Sequence, residues 1–335
     1  MKARSLIRCL FMFFILLLVA CTTPLRESSP GGAAIKPAGS LVLVTGITGT
    51  QGNGVATALL EKGYRIRGLT RDPASDKSRA WSARGAEMVK GDFNDYESIN
   101  AAVKGVDYLF LNILAMPDYI AAAKHVIDAA AAAGVKHIVF TSARLNDPES
   151  GFDENAENSK RMIELYLRNS GYPYTTLRIP KMMENFTRPA DKQRLLTEGI
   201  VDYGTDNSKS YYISTYDMGV ITAAAFANSK AWQGREVNLA ADALTERQLA
   251  ELLRKITGLD IAFKNPSWAE YRGDPNFLAS GKYYDQHEVG YDLVKLRKEF
   301  PGMMTLEQFL RQNGYEKLGE TRTSPAGLAA PTRRD

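Results

Sequence analysis

The feature that most constrains this chain is the run Val44-Thr45-Gly46-Ile47-Thr48-Gly49-Thr50-Gln51-Gly52-Asn53-Gly54. Directly before it stands Leu41-Val42-Leu43-Val44, a short apolar run of strand type, and directly after it Val55 to Lys62 reads as a helix closed by Gly63. A glycine-rich turn between a strand and a helix lets the backbone bend tightly and approach a phosphate closely. The helix N-terminus then turns unpaired N–H groups and the positive end of its dipole toward that phosphate. A plain strand-to-helix turn would carry some of these glycines, so the context decides. The segments that follow alternate: strands at 65–70, 86–89, 106–111, 137–141 and 174–178, and helices at 74–83, 96–103, 119–133 and 159–169. Strands separated by helices at this spacing imply right-handed crossovers and a parallel sheet covered on both faces. The expected fold is therefore α/β, a doubly wound parallel-sheet Rossmann domain that binds a dinucleotide.

The second strand decides which dinucleotide. It ends at Thr70-Arg71-Asp72-Pro73, about twenty residues after the turn, where an acid usually holds the ribose hydroxyls of NAD and a cation holds the 2′-phosphate of NADP. Arg71 favours NADP(H) over NAD(H), with Lys77 as a helper. The alternative makes Asp72 the ribose ligand and Arg71 a solvated charge.

Beyond Pro180 the alternation loosens. Residues near 181–210 and 258–314 are expected to form a smaller, mostly helical C-terminal lobe, whereas 211–257 returns to the core of residues 40–180. A helix at 217–227, a strand at 236–239 and a helix at 245–257 carry that return, the last opened by the Thr-x-x-Gln pattern of Thr245 and Gln248. Residues 315–335 are expected to form a disordered tail.

The first twenty residues contain Lys2, Arg4 and Arg8 and no acid, and an eleven-residue apolar run from Leu10 to Ala20 follows the basic start. That run is short against the roughly 20 residues of a bilayer-spanning helix, so it fits a signal peptide. Leu18-Val19-Ala20-Cys21 resembles a bacterial lipobox, which implies cleavage before Cys21 and lipidation of that cysteine; an uncleaved anchor is the alternative. Residues 21–39, rich in Pro, Gly, Ser and Ala, then read as a flexible tether. The expected location is the bacterial cell envelope, lipid-anchored on the periplasmic or outer-membrane side, or the cytoplasm if the segment is not a signal. Without those three cations the net charge of +4 falls to about +1, too little for a nucleic-acid footprint. The only cysteines are Cys9 and Cys21, and His125, His137 and His287 are scattered, so no metal spacing exists.

Together these residues resemble the NmrA-like proteins, an atypical branch of the short-chain dehydrogenases. The likeness extends to Gly91-Asp92-Phe93-Asn94-Asp95, Val135 to Ser142, Ser159 to Glu164, Ser170 to Pro180 and Lys181 to Phe186, and covers about residues 41–314. It implies NADP(H) at Gly46, Thr48, Gly49, Thr50, Gln51 and Gly52, with Arg71 at the 2′-phosphate. Asp92 and Phe93 would lie near the adenine, Asn112 at the end of the fourth strand and Lys160 near the nicotinamide ribose. The usual acid of the Tyr-x-x-x-Lys pair is missing, because the residue four before Lys160 is Ala156. Lys160 and Ser142 are the candidate catalytic residues that remain. Members of the group are either reductases of quinones, dyes or small carbonyl compounds, or non-catalytic sensors of the NADPH/NADP ratio that bind regulatory proteins. The expected partner is accordingly a small-molecule substrate or a regulatory protein. A third reading is an envelope scaffold that has lost its cofactor, since free NADPH is expected to be scarce outside the cytoplasm.

Overall fold

The computed structural model describes residues 39–113, 117–143, 157–201, 209–263 and 291–319, so the N-terminal segment read as a signal, Cys21, the tether up to residue 38, Ala156 and residues 320–335 of the expected tail lie outside the described residues. The chain runs through β1 (Leu41–Thr45), α1 (Thr50–Glu61), β2 (Arg65–Thr70), α2 (Asp76–Ala83), β3 (Glu87–Lys90), α3 (Tyr96–Ala102), β4 (Tyr108–Leu111), α4 (Tyr119–Ala132), β5 (His137–Ala143), α5 (Glu157–Ser170) and β6 (Tyr174–Ile179). It continues through β7 (Lys181–Met182), α6 (Pro189–Glu198), β8 (Ile200–Val201), β9 (Ser210–Ile213), α7 (Thr215–Ala227), α8 (Ser229–Trp232), β10 (Arg235–Asn238), β11 (Asp242–Leu244), α9 (Glu246–Thr257) and β12 (Ala262–Phe263). Two further helices span Leu293–Glu299 and Leu306–Gln312.

Seven strands form one parallel sheet in the order β10-β6-β5-β4-β1-β2-β3. All five residues of β1 are buried. Val42 and Val44 face one apolar cluster, which includes Val55 and Leu59 of α1 and Met218 and Ile221 of α7. Leu41 and Leu43 face the other, which includes Ile99 of α3, Val126 of α4 and Ile163 of α5. Alternation across the pleat thus explains why the run is apolar throughout: a strand covered by helices on both faces has no solvent side. On one face α1 and α7 cross so closely that a Cβ on Gly219 would stand 2.6 Å from Ala58 Cβ and 2.8 Å from Val55 Cα. The sheet matches the doubly wound arrangement expected from sequence, and the strand order reverses between β1 and β4.

Among the described residues the remaining strands make two small sheets, β11-β9-β7 and β12-β8. Two placements differ from the sequence reading. The helix from Thr245 does form, with its capping box, but the neighbours α9 meets most are β8, β11, β12, the helix Leu306–Gln312 and Tyr315–Lys317, while its Leu249, Ala250 and Leu253 belong to the apolar cluster that includes Val42 and Val44 of the large sheet. Its strongly one-sided apolar stripe serves whichever layer is nearest, and the periodicity is blind to which layer that is. The ordered body also passes Gly314: Tyr315 is buried, its hydroxyl donates to Phe186 O at 2.7 Å, and a Cβ on Gly319 would stand 2.1 Å from Thr257 O.

His137 opens β5 with no exposed surface, its Nε2 2.9 Å from Thr175 Oγ1 and its ring edge-on to Phe226. Burial pulls its pKa down to about 4. The folded protein therefore refuses a proton that the unfolded chain accepts below its ordinary pKa of about 6.5. Stability contributed by the neutral ring is complete above pH 6.5 and is lost as pH falls from there toward 4, by about 3 kcal/mol at full extent. Urea melts at pH 7 and pH 4.5 should show this slope in wild type, and His137→Gln should flatten it.

Candidate functional site

The reversal of strand order leaves a crevice above the carboxyl ends of β1 and β4, where doubly wound sheets bind ligands. Its floor is tied by one side chain. Thr45 Oγ1 donates to Asn112 O at 2.8 Å and accepts from Asn112 N at 2.8 Å, which links the end of β1 to the residue after β4. Asn112 then leans over the turn: its Nδ2 lies 3.2 Å from where a Cβ on Gly46 would stand, and its Oδ1 is buried without a hydrogen-bond partner. Gly46 has φ +66, and a Cβ on Gly52 would meet Gly46 O at 2.3 Å. Both positions thus need glycine, the first for its conformation and the second for close passage of two backbone segments. Gly49 donates to Gly46 O at 2.9 Å and serves as the N-cap of α1.

The start of α1 carries no side-chain cap and no acid in its first turn. By contrast α2, α3, α7 and α9 each have a hydroxyl or carboxylate cap. Helix N-terminal N–H groups need acceptors, and here no side-chain cap supplies one among the described residues. Thr48 is half-buried, Thr50 exposed and Gln51 half-buried around this end. Gln51 is held in place from the sheet: Thr141 Oγ1, buried on β5, donates to Gln51 Oε1 at 3.0 Å. The glycine cradle and the uncapped helix together fit a pyrophosphate, whereas the unpartnered Asn112 Oδ1 is an acceptor and calls for a donor.

The loop after β2 separates Arg71 from Asp72. Asp72 Oδ1 accepts from Ala74 N at 2.9 Å, and Asp72 O accepts from Ser75 Oγ and Ser78 Oγ at 2.9 and 2.7 Å. Its carboxylate shapes the turn into α2, while Arg71 stands exposed immediately after the strand and Lys77 is exposed on α2. After β3 the same device recurs. Asp92 Oδ1 accepts from Asn94 N at 2.9 Å, Asp92 N donates to Ser98 Oγ at 3.0 Å, and Phe93 is half-buried against the second apolar cluster.

The proposed chemistry at β5 and α5 is less assembled. Ser142 follows Thr141 with no exposed surface, its hydroxyl buried and unpartnered. Lys160 is half-buried in the first turn of α5. Two groups escaped the sequence reading. Glu184, five residues after β6, accepts from Thr215 N at 2.9 Å and from Thr215 Oγ1 at 2.8 Å. Burial is the main influence raising its carboxyl above the ordinary range, with Asp217 adding to it. Arg178 on β6 binds Glu164 of α5 at 2.5 Å and Glu236 of β10 at 2.5 Å, and Arg168 reaches Glu236 at 2.7 Å. Partners fourteen to sixty-eight residues apart leave no local signal in sequence. Among the described residues no cluster of His, Cys, Asp and Glu could hold a metal ion.

Comparison with known proteins bears on the fold and the family. The NmrA-like oxidoreductase lnaB of Aspergillus flavus is 26% identical over 329 residues, covering 86% of this chain and 97% of that protein. Quinone oxidoreductase 2 of Escherichia coli is 30% identical over 237 residues, covering 69% and 79% respectively. The crystal structure of the NADPH-dependent quinone oxidoreductase QOR2 of Escherichia coli, complexed with NADPH, superposes with a TM-score of 0.64 at 27% identity, covering 81% of this chain and 99% of that one. A model of the NmrA-like family matches residues 38–271, more than half of the 335, and the chain belongs to that family.

Proposed function

We propose that this protein is an NADP(H)-dependent reductase of a small quinone-like or carbonyl substrate. The observation that carries the cofactor half is the uncapped, acid-free start of α1 above a turn only glycine can make, with Arg71 exposed and Asp72 engaged in its own turn. The similarity to a quinone oxidoreductase supports the substrate half. Gly46, Thr48, Gly49, Thr50, Gln51 and Gly52 would hold the pyrophosphate, Arg71 and Lys77 the 2′-phosphate, Asp92 and Phe93 the adenine side and Lys160 the nicotinamide ribose. The bound dinucleotide would supply a hydride, and the protein would orient the substrate and exclude water. The full-length protein mixed with NADPH and a panel of quinones should consume NADPH in step with quinone.

Ala156, where a short-chain dehydrogenase carries its tyrosine, favours a second reading, a sensor that binds the dinucleotide without turnover. NADPH binding with no consumption on any quinone would select it. The N-terminal segment supports anchoring in the envelope through a lipidated Cys21. Metabolic labelling with a fatty acid should mark the wild type and leave Cys21→Ser unmarked.

A further inference from the structure

A carbonyl or quinone that accepts a hydride also needs a proton on oxygen, and the usual tyrosine is missing from this chain. Three side chains of the smaller lobe meet just beyond the carboxyl end of β6. Lys181 of β7 donates from Nζ to Ser210 Oγ of β9 at 2.7 Å, and Ser210 Oγ donates to Glu246 Oε1, at the first position of α9, at 3.2 Å. Lys181 Nζ and Glu246 Oε1 are 4.0 Å apart, with 43% of the lysine side chain exposed and 1% of the glutamate's.

The position of this triad follows from the sheet. The pyrophosphate cradle lies over β1 and β4, and Arg71 marks the 2′-phosphate side over β2, so the reactive half of a bound dinucleotide extends the other way, over β5 and β6. Residues Ser142 and Ala143 pair with Arg178 and Ile179, and Lys181 comes two residues later, above the edge of that same strand pair. Three residues further on, Glu184 grips Thr215, whose Oγ1 fills the space a Cβ on Gly54 of α1 would take, at 1.9 Å. The segment bearing Lys181 is therefore fastened to the cofactor helix through Glu184 and Thr215.

We propose that Lys181 is the proton donor to the substrate oxygen, positioned by Ser210 and Glu246; this deepens the reductase reading and rests on it. A hydride from the reduced dinucleotide joins the substrate carbon, the carbon–oxygen π pair moves to oxygen, one Nζ–H bond breaks and an O–H bond forms. Lys181 is left as a neutral amine and regains its proton from water through its exposed flank. Partial desolvation supports the role: although 43% of the side chain is exposed, desolvation holds the ammonium below the ordinary lysine range while the charge of Glu246 pulls the other way. An ammonium so placed gives up a proton more readily than a surface lysine.

A purely structural duty would be to neutralise the buried Glu246, and arginine would do that equally well. The test therefore compares Lys181→Arg with Lys181→Met in the full-length protein. If Lys181 is the donor, Lys181→Arg keeps NADPH affinity within about twofold but loses on the order of 100-fold in kcat, the scale of general acid catalysis. Without cofactor, reductive methylation with carbon-13 and an NMR titration should show one lysine, absent from Lys181→Arg, titrating below the others, and Glu246→Gln should lower it further. Full kcat in Lys181→Arg, or a Lys181 signal titrating with the surface lysines, would overturn the assignment while leaving the reductase reading intact. A wild type that binds NADPH and reduces nothing would overturn both.

Discussion

Gly52→Ala is expected to weaken dinucleotide binding by on the order of 100-fold or more, about 3 kcal/mol, with the secondary structure retained. The added Cβ would stand 2.3 Å from Gly46 O, 2.5 Å from Gly46 C and 2.8 Å from Ile47 Cα. All three are backbone atoms, so no side chain can swing aside, and the turn must move away from α1. That movement would displace the N–H groups proposed to face the phosphates. Gly49→Ala supplies the graded control, because its Cβ would meet only Gly46 O at 3.3 Å, a contact that a few tenths of an ångström relieves. Calorimetric titration of the two variants with NADPH should rank Gly52→Ala far below Gly49→Ala, and equal affinities would show that the cradle is not where the cofactor sits.

The second large effect lies away from the crevice. Arg178→Met should cost about 3–5 kcal/mol of folding stability, the usual penalty for removing one partner of a buried ion pair. Glu164 is 1% exposed and takes three hydrogen bonds from Arg178, two from Nε at 3.1 Å and one from Nη2 at 2.5 Å. Burial by itself would raise the carboxyl of Glu236, but hydrogen bonds and charge from Arg168 and Arg178 override it and hold the group below the ordinary range. Glu236 keeps Arg168 in the variant, whereas Glu164 loses the partner shown here. Adding Glu164→Leu to Arg178→Met should therefore restore much of the loss, as read by urea melts at pH 7. A single-variant loss under 1 kcal/mol would mean that water enters and solvates Glu164.

The parts legible in the sequence were those whose cause is local. β1 and the glycine turn could be read because burial on both faces demands a continuous apolar run and because close backbone passage demands glycine. The cap of α9 was readable because Thr245 and Gln248 are three residues apart. What stayed hidden depends on distant pairing. Tyr315 looked like the start of a tail because its partner, Phe186, is 129 residues away. The Arg178 network, the grip of Glu184 on Thr215 and the meeting of Lys181, Ser210 and Glu246 each join elements that only the fold brings together. Asp72 and Asp92 show the opposite limit. Sequence spacing offers each carboxylate to a ligand, and the structure gives one oxygen of each to its own turn.

The central assignment, a crevice built for NADP(H) with Arg71 at the 2′-phosphate, is tested most directly by titrating the full-length protein with NADPH and NADH, in wild type and in Arg71→Ala. Wild type should bind NADPH more tightly, and Arg71→Ala should weaken NADPH by roughly 30-fold, about 2 kcal/mol for a charge-assisted hydrogen bond, while leaving NADH unchanged. Equal loss for both nucleotides, or no binding of either by the wild type, would contradict it.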